Sequence, residues 1–107
     1  MSEKTLSQYE RRFDSSCPAW ENNKEYNIIY LRLQEGYFND LLHHRGYLFL
    51  RDVYEGLCMP ISKESCLAGW ISNKDEYNFV EFYIQETDGP DIILDFNNVD
   101  ENIIDKL

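Results

Sequence analysis

The clearest pattern in the chain is a series of apolar residues at helical spacing between residues 24 and 45. Positions three and four residues apart lie on one side of an α-helix, so this spacing predicts one long amphipathic helix. Asn22 or Asn23 can cap its start, and Gly46 stands where a left-handed C-terminal cap is expected. The side chains predicted to face inward are Tyr26, Ile29, Tyr30, Leu33, Tyr37, Leu41 and Leu42.

Alternation of apolar and polar residues replaces the helical spacing in the last third of the chain. We expect strands at 66–71, 78–85 and 91–96, joined into an antiparallel meander by turns at 72–75 and 87–90. The side chains of the second and third strands expected to face the core are Val80, Phe82, Ile84, Ile92, Leu94 and Phe96.

Shorter elements are expected around the long helix and the strands. Apolar residues at helical spacing predict a short helix over residues 4–13, and residues 52–57 read as another. Residues 47–50 read as extended, and the apolar residues of the tail 97–107 are enough to dock a last turn. The predicted fold class is α+β, with one long helix and short helices packed on a three-stranded antiparallel sheet.

The length and composition predict a single domain over residues 1–107. Residues 1–23 read as a polar, partly helical extension and residues 24–107 as the α+β core. An apolar content of 43%, with 15% aromatic residues, is enough to bury a core. The polar N-terminus and the short apolar runs predict a soluble cytoplasmic protein, and the odd number of cysteines favours reduced thiols.

Negative charge is concentrated at the C-terminal end. Residues 75–107 contain ten acidic residues and one basic residue, so they carry −9 of the formal net charge of −10. Residues 1–50 contain seven acids and six bases. Such a distribution repels nucleic acid and anionic lipid and attracts basic surfaces, so we expect neither direct nucleic-acid binding nor membrane binding.

Candidate metal sites have weak support in the sequence. His43 and His44 are adjacent, so on a helix they point about 100° apart, and their spacing to Cys58 and Cys66 fits no common zinc motif. Residues 88–91 resemble part of a calcium loop but lack its twelve-residue ligand pattern, and a turn is the simpler interpretation. No metal and no cofactor are expected.

The acidic side chains of the strands have three interpretations. Glu81, Asp91 and Asp95 could serve acid–base catalysis only if burial separated their pKa values, whereas alternation puts them on outer sheet faces. We therefore expect no enzyme. The remaining interpretations are a solvated face that maintains solubility and a rigid surface that imitates the charges of a nucleic-acid backbone.

Several motifs carry a resemblance to a known family. They are the residues at 36–42, 45–57, 69–70 and 94–97, in that order along the chain. Over about residues 35–107 the chain resembles a small domain of unknown function encoded by phages and prophages of low-GC Gram-positive bacteria. The resemblance implies a phage origin and specifies no catalytic residues.

The charge and the resemblance together lead to two hypotheses. The first is a non-enzymatic inhibitor that binds the basic surface of a host nucleic-acid-handling defence protein, such as a CRISPR effector or a restriction enzyme. Imitation of a nucleic acid is one way in which it could bind. The second is a phage structural, assembly or oligomerising module without an inhibitory role, which the eight tyrosines and six phenylalanines suit. The residues expected to bind the partner are Glu81, Glu86, Asp88, Asp91, Asp95, Tyr83 and Trp70.

Overall fold

The computed structural model describes residues 9–107, which form an α+β fold as predicted. Among these residues no helix combines the length and the apolar character needed to cross a membrane. The elements in chain order are β1 (Arg11–Phe13), α1 (Lys24–Arg45), β2 (Tyr47–Phe49), α2 (Leu50–Gly56), a 3₁₀ helix (Glu64–Cys66), β3 (Gly69–Ile71), β4 (Phe82–Glu86), β5 (Ile92–Phe96) and a second 3₁₀ helix (Ile104–Lys106).

A three-stranded antiparallel sheet is present, but one of its predicted strands belongs elsewhere. The strand order is β1–β5–β4, and the β4–β5 hairpin turns at 87–90 as expected. The strand predicted at 66–71 is shorter, and as β3 it pairs with β2 in a separate two-stranded sheet. Gly69 permits this pairing, because a Cβ there would lie 2.1 Å from the carbonyl oxygen of Leu48.

The place of the third strand is taken by β1. The helix predicted over residues 4–13 is therefore wrong for Arg11–Phe13, whereas residues 4–8 lie outside the described part of the chain. Tyr9 and Phe13 are four residues apart, a spacing that suits one face of a helix and equally one face of a strand. Pairing with β5 buries Phe13 completely, which favours the strand.

The long helix α1 has the predicted bounds and caps. The side chain of Asn23 accepts a hydrogen bond from the backbone N–H of Tyr26 at 3.0 Å. At the other end Gly46 has a φ of 87°, and its N–H donates to the carbonyl oxygen of Leu42 at 2.7 Å. Glycine suits this left-handed position because it has no Cβ.

The buried face of α1 differs from the predicted one. Asn27, Leu31, Phe38 and Leu42 are buried. Four of the seven side chains predicted to face inward are instead exposed, namely Tyr26, Ile29, Leu33 and Tyr37. The helix turns this way because the Asn27 amide is hydrogen-bonded on both sides, which lets a polar side chain occupy the core.

The core lies between α1, α2 and the inner faces of the two sheets. Phe82 is its aromatic centre, with ring centroids 6.4 Å from Phe38 and 5.5 Å from Phe96. The predicted inner faces of β4 and β5 are confirmed, with Ile84 half-buried. Val53 and Tyr54 of α2 are also buried, as is Leu57 just after its end.

Side chains of α1 cover the free edge of the chain leading into β4. Asn39 accepts from the N–H of Val80 at 2.7 Å and donates to its carbonyl oxygen at 2.8 Å. One turn earlier, Glu35 accepts from the N–H of Phe82 at 2.6 Å, and Arg32 donates to the carbonyl oxygen of the same residue at 3.0 Å. These bonds satisfy backbone groups that an uncovered edge would leave open to other chains.

Candidate partner-binding site

The three-stranded sheet turns one face away from the core. On this face Tyr83 lies opposite Asp95, and Ile93 lies between Gln85 and Arg12. Alternation along each strand determines which side chains point outward, because their neighbours fill the core. We call this surface the outer face, and it consists of Glu10, Arg12, Glu81, Tyr83, Gln85, Asp91, Ile93 and Asp95.

A groove of about 460 Å³ crosses the outer face. Extending the β1 register by one residue puts Glu10 opposite Asp95, and both residues line the groove. One side-chain oxygen of Glu10 is buried and has no hydrogen-bond partner among the described residues. Leaving a buried carboxylate oxygen unpaired is unfavourable, so Glu10 would gain from a side-chain rotation that brings this oxygen to a cationic donor in the groove. The other lining residues are Tyr83, Ile84, Gln85 and Ile93.

The segment that carries Glu10 is held from inside the molecule. The hydroxyl of Tyr54 donates to the carbonyl oxygen of Tyr9 at 2.8 Å, and the Arg11 guanidinium lies 4.5 Å from the Tyr54 ring centre. Burial raises the pKa of Tyr54 to about 12, so its hydroxyl keeps its proton and remains a donor. The position of Glu10 is therefore tied to the core.

The predicted acidic residues do not form one cluster. Glu81 and Asp95 share the outer face with Tyr83. Asp91 also lies there, but its carboxylate is paired with Arg12 at 3.1 Å. The two others lie toward the hairpin turn, where Glu86 is 3.6 Å from the Lys24 ammonium and Asp88 is exposed.

The prediction that Trp70 is an aromatic anchor for a partner is wrong. It lies on β3, in the two-stranded sheet, and its side chain is fully buried. Its indole N–H donates to the carbonyl oxygen of Asn97 at 2.7 Å, and its ring packs edge-on against Phe96. Because both the ring and the polar atom have partners inside the core, a binding protein cannot reach this side chain.

Sequence reasoning missed Glu10 and Ile93 as part of this surface. The available signal was alternation over residues 9–13. In a strand, Glu10 and Arg12 would lie on one face, and Tyr9 and Phe13 on the other. That alternation is typical of a strand, but it competes with the helical spacing of the same two apolar residues. Ile93 was placed correctly on the non-core side of its strand, although only the neighbouring strands make it a groove wall.

The residues considered for metal binding have other partners. Among residues 9–107 no group of three or more His, Cys, Asp or Glu side chains could hold a metal ion. His43 donates from Nε2 to the carbonyl oxygen of Asn78 at 2.7 Å and stacks on Tyr77. The calcium-like segment is the hairpin turn, where the hydroxyl of Thr87 donates to the carbonyl oxygen of Asp91 at 2.8 Å.

A second cavity, of about 360 Å³, lies near the C-terminus. Two of its lining residues, Asp100 and Lys106, bond to each other, and that hydrogen bond lowers the pKa of the Asp100 carboxyl. The Asp100 carboxylate therefore already has a cationic partner within the cavity. The remaining lining residues are Ile71, Glu76, Tyr77, Asn78 and Asn98.

Comparison with known proteins assigns no activity to these surfaces. No curated protein and no solved structure matches the chain. One family model matches residues 1–107, the whole of the sequence. The chain therefore belongs to a family of unknown function, DUF6353.

Proposed function

We propose that this chain is a non-enzymatic binding protein whose outer face occupies a basic surface of a nucleic-acid-handling protein and thereby inhibits it. The observation that carries the proposal is the groove in which Glu10 and Asp95 face each other on neighbouring strands, with the exposed Tyr83 beside Asp95. The resemblance to phage-encoded domains makes host defence enzymes, of the CRISPR-effector or restriction type, the favoured partners.

The groove has the chemistry to receive an arginine side chain. Two carboxylates suit a guanidinium group, which donates several hydrogen bonds in one plane. The ring of Tyr83 is 51% exposed, so it is available for a cation–π contact with the same group. The apolar side chain of Ile93 suits the methylene stem of a long basic side chain.

The spacing of charges supports competition with nucleic acid. Neighbouring strands lie about 4.8 Å apart, so Glu10 and Asp95 place two negative charges close together on the outer face, as phosphates stand close together along a nucleic-acid strand. The net charge of −10 adds long-range attraction toward basic surfaces, which raises association rates and weakens with salt. An acidic face of this kind competes for the arginine and lysine residues that otherwise hold phosphate.

The first test uses an arginine nonapeptide as the probe, with calorimetric titration of the wild-type chain and of Asp95→Asn. Asparagine keeps the oxygen that accepts from the Phe96 N–H, so the strand is preserved while the charge is lost. We expect about tenfold weaker binding, the usual loss for one charge-assisted hydrogen bond. Glu55→Gln removes the same charge from the exposed surface of α2 and should change binding less than twofold. Equal losses of affinity in both variants would show that the peptide responds only to the overall charge of the chain, and would contradict a specific site in the groove.

The second test addresses inhibition. Basic nucleic-acid-binding proteins retained from a bacterial lysate on the immobilised chain are eluted with salt, returned to physiological salt and loaded with labelled duplex DNA. The free chain is then added. We expect the wild type and Glu55→Lys to release the DNA and Asp95→Lys to fail. A captured protein that keeps its DNA in the presence of the wild-type chain would refute inhibition by competition, even if the groove binds arginine.

The alternative, an assembly or oligomerising module, is favoured by a different observation. Four large apolar side chains are exposed on α1, away from the acidic outer face. Binding of a partner through the outer face does not cover them, whereas association with another chain would.

A further inference from the structure

A straight row of apolar side chains runs along the solvent side of α1. We call it the α1 row, and it consists of Tyr26, Ile29, Leu33 and Tyr37, which are 45%, 60%, 67% and 54% exposed. Steps of three, four and four residues add up to eleven, or about three helical turns, so the row stays on one side of the helix over about 16 Å. The buried side chains of α1 lie on the opposite side.

The surroundings of the row are open. Gly36 lies beside it on an exposed part of the helix, and a Cβ built there would meet no atom within 4 Å. A residue without a side chain at this place lets another backbone approach closely. Contiguous exposed apolar surface of this kind usually marks an interaction site, since water contact with it costs free energy.

The charge of α1 indicates what could cover the row. Residues 24–45 contain three bases (Lys24, Arg32 and Arg45) and three acids (Glu25, Glu35 and Asp40), which gives 3 − 3 = 0, whereas the whole chain carries −10. Two copies of this chain repel each other at their acidic faces. Their neutral helices offer a surface at which two copies can meet without the repulsion between the acidic faces.

We propose that the α1 row is the interface of a homodimer, in which two α1 helices pack antiparallel about a twofold axis near Leu33. This arrangement brings Ile29 of each copy against Tyr37 of the other. It also brings the hydroxyl of Tyr26 to the partner's Asp40, which is exposed and has no hydrogen bond or ion pair among the described residues. Antiparallel packing sets opposite helix-dipole ends side by side, and a twofold interface uses one self-complementary surface. Because α1 separates the row from the outer face, each copy keeps its acidic face free.

The oligomeric state is measured by analytical ultracentrifugation of the full chain. We expect a species of twice 12.8 kDa, or 25.6 kDa, which Leu33→Asp converts to monomer while circular dichroism retains the helix signal. Ile61→Asp is the matched control, because Ile61 is 49% exposed and lies outside α1. High salt should strengthen the dimer, since it screens the repulsion between copies. A wild-type chain that remains monomeric at about 1 mM, or a dimer that survives Leu33→Asp, overturns the proposal.

The antiparallel register has its own test. Leu33→Cys is combined with Cys58→Ser, which removes the exposed native thiol. Under mild oxidation we expect a disulfide-linked dimer, because the two copies of residue 33 face each other and a disulfide requires Cα atoms within about 7 Å. Ile61→Cys in the same background should not cross-link. A dimer that forms no link through residue 33 overturns the twofold arrangement.

Discussion

Buried amide side chains have an unusual share in holding this small domain together. Asn27 is fully buried, and its amide bonds the backbone of Glu21 and of Pro90. Asn97 is 2% exposed, and its amide accepts from the N–H of Glu81 and donates to the carbonyl oxygen of Phe79. A single amide offers a donor and an acceptor, so it pairs with backbone groups where no strand is adjacent. Each of these residues joins segments distant in sequence, which a local pattern cannot reveal.

Because of Tyr54, the stability of the fold should decrease at alkaline pH. Its pKa of about 12 in the folded chain lies above the ordinary value of 10.0, because burial disfavours the phenolate. A raised folded pKa means that the stabilisation is complete below about pH 10 and is lost as the pH rises through about 12. We expect the free energy of unfolding, measured with urea, to fall across that window. Tyr54→Phe should flatten the fall without abolishing it, since burial also raises the pKa values of Tyr9 and Tyr30.

The control for that measurement is Tyr77→Phe. Tyr77 is 74% exposed, so this substitution removes a hydroxyl from the surface and leaves the core intact. An identical pH dependence in the wild type and Tyr54→Phe would show that this hydroxyl does not couple to folding.

At the scale of elements, α1 shows how an apolar pattern can indicate the right helix and the wrong side of it. The caps and the bounds follow from nearby residues, and both were predicted correctly. The prediction placed Tyr26, Ile29 and Leu33 in the core on apolar spacing alone, which gives no weight to a polar residue such as Asn27. Once the Asn27 amide finds backbone partners, the buried side shifts toward Leu31. The displaced apolar side chains become the α1 row.

Phenylalanine-to-alanine substitutions on the two sides of the chain around β4 should lower stability by different amounts. Phe82 is 1% exposed and contacts two other aromatic rings, whereas Phe79 is 43% exposed. We expect Phe82→Ala to lower the free energy of unfolding by about 3–5 kcal/mol through the cavity it leaves. Phe79→Ala should cost less than about 1 kcal/mol. Chemical denaturation of both variants gives the comparison, and similar losses would contradict the assignment of the inner face.

At the scale of the whole molecule, the charge distribution predicts what the chain does not bind. A net charge of −10 opposes the phosphate contacts that supply non-specific affinity for nucleic acid. We expect no shift of labelled duplex DNA or single-stranded RNA in gels at physiological salt, with a basic DNA-binding protein as the positive control. Reproducible binding by the chain itself would contradict the proposed mimicry of nucleic acid.

The sequence by itself determined the local features of this protein. These are the bounds of α1, the inner faces of β4 and β5, the turn at 87–90 and the charge of the last third. Each of them depends on residues within a few positions of one another, through backbone capping, alternation or turn chemistry. The fold class followed because these elements together leave few architectures open.

Only the tertiary structure decided which elements meet. It placed β1 beside β5 and β3 beside β2, buried Trp70, and set Glu10 opposite Asp95 in the groove. A spacing of four residues between apolar side chains, as between Tyr9 and Phe13, fits a helix and a strand alike. The alternation within one strand does not determine which other strand pairs with it. These choices depend on the free energy of packing and pairing between segments up to about eighty residues apart, such as Arg12 and Asp91. The candidate site is made of such long-range pairs, so local sequence patterns could supply its side chains but not their arrangement.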